Sequence, residues 1–159
     1  MKKYIALLLT LVLLCGMFIG CSAKETSAPH SHEDLTIRIP VDFIDLSDEE
    51  FAEGLSFVYA LDPIAVNGLR EPKATFEAYG LDLDLEQYGK FLMMSNQVNA
   101  ELSKKDGVRY FSYEADAYTY VVTLWETESA FWTVQAYCPT ADYSKVKGDM
   151  WEILRSVTV

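Results

Sequence analysis

The sequence predicts an α+β fold, an antiparallel sheet with helices packed against it. Three observations predict it. Short runs with a two-residue apolar alternation recur, as at 35–40, 117–126 and 130–138. Turn signals such as Asp62-Pro63 and Asp106-Gly107 join neighbouring runs closely enough for hairpins. Two segments, 84–97 and 143–155, carry apolar residues at helical spacing. Half of the 159 residues are apolar and 13% are aromatic, so the chain is rich enough to bury one core.

The first segment is not part of that core. Met1-Lys2-Lys3 is basic, an apolar run follows to Gly20, and the run is marginally short for a membrane span. Residues 1–20 therefore read as a secretory signal. Its end, Phe18-Ile19-Gly20-Cys21, resembles the lipobox of bacterial lipoproteins. That resemblance implies cleavage before Cys21 and lipidation of its thiol, with Phe18 standing where leucine is usual. It places the mature chain on the outer side of a cell membrane, held by its lipid anchor. An uncleaved membrane anchor is the other reading, and it too exports and tethers the domain.

Residues 21–34 read as the lipidated cysteine and a polar, aperiodic tether. About 13 flexible residues reach on the order of 20 Å. Both histidines of the chain, His30 and His32, lie here, next to Glu33 and Asp34. Imidazole and carboxylate are metal ligands. In a mobile segment such a cluster is more often solvated, and no metal site is expected.

The domain itself is expected over 35–159. The strand 35–40 places Leu35, Ile37 and Ile39 on one face. An acidic loop over 41–50 follows, with Phe43 and Leu46 turned inward. Strands are expected at 55–61 and 64–69, the second weakened by Gly68. A short helix at 72–79 is opened by Pro72 and stopped by Gly80. The helix at 84–97 begins with Asp84 and Gln87 in capping-box spacing, and it presents Leu85, Tyr88, Phe91 and Leu92 on one side. A meander of four strands is then expected at 98–104, 108–115, 117–126 and 130–138. The last helix carries Val146, Met150 and Leu154 in a stripe that Val157 continues.

The last two strands have two mixed faces. Trp125 and Thr123 alternate with Leu124 and Val122, and Phe131, Gln135 and Tyr137 alternate with Trp132, Val134 and Cys138. A sheet face open to water shows a cleaner polar row, so both faces are expected to be at least partly covered.

This layout resembles the PsbP-like lipoproteins, bacterial relatives of the PsbP subunit of photosystem II and of a eukaryotic Ran-binding protein. The matching pieces are Thr36-Ile37-Arg38-Ile39-Pro40, a short helix entering Gly80, and a helix around Leu85-Glu86-Gln87-Tyr88. Gly107-Val108-Arg109-Tyr110, Phe131-Trp132 and Ile153-Leu154-Arg155-Ser156-Val157 complete the match. The resemblance implies an antiparallel sheet of about six strands sandwiched between helices. It also implies a binding or assembly role, and it assigns no functional residue.

Charge and chemistry narrow the function. Removing the two signal lysines and no acid takes the formal charge from −11 to −13. Such a surface repels phosphate backbones, so nucleic acid is not an expected partner. The one cysteine beyond Cys21, Cys138, has no partner for an internal disulfide and falls on an apolar strand face, where packing is the expected role rather than reactivity. The segment 35–159 contains no histidine, and neither a phosphate loop nor a CxxC or HExxH motif occurs. No catalytic residue and no cofactor are therefore expected.

Asp45, Asp48, Glu49 and Glu50 crowd one loop, and Asp82 and Asp84 flank a helix start, as solvation and capping would place them. Aromatic residues are the remaining lead. They form core by one reading. By the other, Trp125, Phe131 and Tyr137 line a groove with Thr123, Thr133 and Gln135 as hydrogen-bonding groups. The expectation is a non-enzymatic, membrane-anchored lipoprotein that binds or helps assemble an envelope protein or exported ligand. A small-molecule or cation-binding surface module is the alternative, and a carboxylate-dependent hydrolase is a third.

Overall fold

A computed structural model describes residues 26–159. The residues expected to form a signal segment and lipobox, Cys21 among them, lie outside the described residues.

The elements run β1 (Ser27–His32), β2 (Leu35–Pro40), β3 (Ile44–Asp45), β4 (Phe57–Leu61), β5 (Ile64–Pro72) and α1 (Lys73–Glu77). Then come α2 (Leu85–Ser95), β6 (Ser103–Lys105), β7 (Val108–Ala115), β8 (Tyr118–Glu126), β9 (Ala130–Pro139) and α3 (Thr140–Arg155). Strands β3 to β9 form one antiparallel sheet in the order β3-β4-β5-β9-β8-β7-β6. Strands β1 and β2 form a separate hairpin. The fold is α+β, with seven strands in the main sheet where about six were expected.

Three expectations are corrected. Residues 27–34, read as tether, are strand β1 and its turn. Their alternation escaped notice because β1 carries Ser, Pro and His rather than aliphatic side chains. Strand β2 pairs with β1 and lies across the main sheet instead of joining it. The run 98–104 contributes only its end to β6, since 98–102 is not strand.

Local chemistry explains the other boundaries. Asp84 accepts from the Gln87 backbone N–H at 2.8 Å while the Gln87 side chain accepts from the Asp84 N–H at 2.9 Å, which opens α2 with a capping box. Asp106 (φ 51) and Gly107 (φ 89) form the tight β6–β7 turn. Asp62-Pro63, whose peptide bond is cis, joins β4 to β5.

The sheet has two different coverings. On one face, Phe57, Tyr59, Val66, Val121, Trp132, Val134, Ala136 and Cys138 meet Leu35, Ile37 and Ile39 of β2 and Met150, Ile153, Leu154 and Val157 at the C-terminus. Phe43 packs at the edge of this core and Leu46 is half-buried, as an inward turn of the loop requires. An antiparallel bridge between Thr36 and Thr158 joins β2 to the chain end, with N–H to O distances of 2.9 and 2.8 Å.

On the other face, α1 and α2 bring Phe76, Tyr88 and Met93 onto Phe111, Val122, Leu124 and Phe131. Gly89 permits this approach, because a Cβ there would stand 2.5 Å from a Leu124 methyl. Among the described residues, no helix is long and apolar enough to cross a membrane.

Candidate binding face

Register decides what each face can do. Trp125 pairs with Trp132, Thr123 with Val134 and Val121 with Ala136. These pairs point towards α3 and β2. Leu124 pairs with Thr133, Val122 with Gln135 and Tyr120 with Tyr137, and these point towards α2 or open space.

Trp125 and Thr123 therefore stand on the opposite side of the sheet from Phe131, Thr133, Gln135 and Tyr137. The groove that was to unite them does not exist. Trp125 packs half-buried at the α3 side and donates its indole N–H to Thr123 Oγ1 at 3.1 Å. Phe131 is 1% exposed, stacked on Tyr88 at 4.5 Å and 10°, so it is core. Gln135 and Tyr137 remain half-exposed.

Around these two, the structure assembles a different surface. Tyr88 of α2 stacks on Phe131 and anchors the helix there by donating to Glu71 Oε2 at 2.6 Å and meeting Thr133 Oγ1 at 2.8 Å. Beyond that anchor lies a groove of about 370 Å3, bounded by Leu92 of α2, by Asn96 just past its end, and by Asn67, Thr133, Gln135 and Tyr113 of the sheet. It leads into a ladder of tyrosines. Tyr113 stacks on Tyr120 at 4.8 Å and 7°, and Tyr120 on Tyr137 at 5.3 Å and 26°. Tyr118, 40% exposed, meets Tyr137 edge-on at 6.1 Å. Desolvation raises the phenol pKa values of Tyr113, Tyr120 and Tyr137, and their neighbouring tyrosines or Asp116 add to the rise. Tyr113, Tyr120 and Tyr137 are therefore held as neutral phenols that can donate and accept. Aromatic planes beside amides suit the binding of a flat or extended polar ligand.

Asn67 and Asn96 escaped the reading of the sequence. An asparagine in the otherwise apolar run from Ile64 to Leu69 was the available signal for Asn67.

The histidines are tied into the fold. His30 Nδ1 and His32 Nε2 meet the Tyr59 hydroxyl at 3.0 and 3.3 Å, and the His32 ring stacks on Phe57 at 4.5 Å. Burial and then Asp45 push the Tyr59 pKa up to about 12. Glu33 and Asp34 turn instead to Arg70, at 3.0 and 3.2 Å. The four residues of the metal reading are thus split, and the described residues hold no group of three metal-ligating His, Cys, Asp or Glu side chains. Cys138 is fully buried, and burial followed by Asp142 pushes its thiol pKa up.

No family model matches the sequence, and no curated protein matches it. Solved structures do. The solution structure of cyanobacterial PsbP (CyanoP) from Synechocystis sp. PCC 6803 superposes with a TM-score of 0.54 at 13% identity, over 88% of this chain and 96% of that one. A crystal structure from Bacteroides thetaiotaomicron superposes with a TM-score of 0.51 at 12% identity, over 84% of this chain and 48% of the other. At such identities the likeness is one of fold. The described domain is PsbP-like in architecture: a mixed α+β structure on a seven-stranded antiparallel sheet.

Proposed function

We propose that this chain is a lipid-anchored, non-enzymatic lipoprotein of the cell envelope, whose domain binds another envelope protein or an exported ligand through the tyrosine face. The observation that carries the reading is the tyrosine ladder: Tyr113 packs at the margin of the core under α1 and α2, and Tyr120 and Tyr137, stacked beyond it, belong to neither core of the sheet. A monomer gains little from leaving such a platform in water, whereas a binding surface uses it. The lipobox at Phe18–Cys21 supports the anchored location. Every Asp and Glu among the described residues is at least partly exposed, which gives a carboxylate-driven hydrolase no sheltered acid to work with.

The small-molecule alternative draws on the 370 Å3 groove, whose size suits a compact ligand.

Photo-crosslinking in the native envelope separates the two. A crosslinking side chain at Tyr137 should yield one dominant protein adduct, lost when Tyr120→Ala removes the neighbouring ring. The same group at Ser144, on exposed α3, should yield none. No protein adduct at Tyr137 would exclude the protein partner and leave the small ligand. Mass spectrometry of the native protein tests the anchor. The expected product begins at Cys21 and carries acyl mass, and an intact N-terminus without acyl mass refutes it.

A further inference from the structure

The opposite side of the sheet holds a second groove, of about 410 Å3, between β6, β7 and α3. Ser112 and Val121 form its floor, and Lys105, Lys147 and Arg155 line it. Three of the chain's 13 basic residues gather there, although the chain is strongly acidic, and none of the groove's lining residues is a carboxylate. Asp106 stands at the edge, paired with Arg155 at 3.0 Å, so the local balance remains positive.

Two of the cations are held in place. Lys105 Nζ and the Arg155 guanidinium sit 4.8 and 5.3 Å from the centre of the Trp151 ring. An indole that orders both side chains reduces the entropy lost when they grip a ligand. Lys147 lies one helical turn before Trp151 and so shares its side of α3.

Gly148 lines the same groove. Glycine is a poor helix former, yet it stands in the middle of α3. A Cβ there would meet nothing within 4 Å, so packing does not demand glycine. The missing side chain keeps the groove open. At physiological salt the Debye length is about 8 Å, so distant surface acids are screened while cations in contact with a ligand are not.

We propose that this groove binds a small soluble polyanion bearing two or more negative charges, with Lys105, Lys147 and Arg155 as its charge partners. The site lies across the sheet from the tyrosine face and does not depend on it.

The test is isothermal titration of the full chain in non-ionic detergent, with citrate and pyrophosphate as separate probes. Saturable binding of either supports the site, and the probe that binds tells carboxylate from phosphate chemistry. Lys147→Glu should weaken binding at least tenfold. Gly148→Leu adds a side chain that a helix favours, so it should keep the thermal unfolding transition and abolish binding. Saturable binding of neither probe overturns the proposal, as does binding that either substitution leaves unchanged.

Discussion

At the turn of the β1–β2 hairpin, the Asp34 carboxylate collects hydrogen bonds from four side chains. Trp132 Nε1 and Thr127 Oγ1 each donate at 2.7 Å, Ser129 Oγ at 3.1 Å and Arg70 Nε at 3.2 Å. Burial opposes the charge, but the donors from Thr127, Arg70, Trp132 and Ser129 outweigh it and hold the carboxyl far below its usual range. Trp132 is itself fully buried, so its N–H depends on this one acceptor. Asp34→Ala would strand that donor and is expected to lower stability by about 2–3 kcal/mol, measured by urea unfolding at neutral pH. In the sequence Asp34 looked like a solvated residue of a tether. Its partners lie 36 to 98 positions away, at separations that local pattern cannot reveal.

Among the elements, the β7–β8 hairpin is closed by Asp116 (φ 50) and Ala117 (φ 67). Both sit in the left-handed region, as a two-residue turn of this kind requires. Alanine is strained there by roughly 1–2 kcal/mol, and glycine gives back about half through its freer unfolded state. Ala117→Gly should therefore stabilise the protein by about 0.5–1 kcal/mol, read as a raised midpoint in thermal or urea unfolding. The capping box of α2 and the Asp106-Gly107 turn were both legible in the sequence, because their chemistry is confined to a few neighbouring residues. Gly68 was read as a weakness of its strand. Across the ladder, the Phe57 ring lies against Gly68, where a Cβ would collide with it, and Trp132 and His32 flank that ring. The glycine is a seat for an aromatic ring, a contact that only the pairing of β4 with β5 creates.

For the molecule as a whole, the hairpin and α3 together close one face of the sheet, and the hairpin is held by two acid-sensitive attachments. His32 is held below its ordinary 6.5 by burial and by His30, with Asp45 opposing. The unfolded chain takes up that proton first, so the contribution of His32 is complete above pH 6.5 and is lost as pH falls below it. The depressed Asp34 contributes fully above its ordinary 3.8 and loses that contribution as pH falls further. Urea midpoints should therefore drop in two stages, first as pH falls below the ordinary histidine value of 6.5 and again as it falls below the ordinary aspartate value of 3.8. His32→Gln should remove the first drop and keep the second, and an unchanged first drop would show that the imidazole is not responsible.

The sequence by itself determined most of the element types over 35–159, the capped start of α2, the Asp106-Gly107 turn and the acidic, histidine-free character of that segment. Each depends on residues a few positions apart. Alternation also told which residues share a side within one strand. It could not tell which side of β8 continues into which side of β9, because a one-residue shift of register exchanges the faces. Tertiary structure made that choice by pairing Trp125 with Trp132, which sent Trp125 towards α3 and left Gln135 and Tyr137 on the open side. It also decided that α2 covers only part of its face, and that Lys105 of β6 and Arg155 of α3, far apart in the chain, meet over the Trp151 indole in the groove that Lys147 also lines. Such placements follow from how distant segments bury their apolar surfaces together, and short-range pattern carries no record of it.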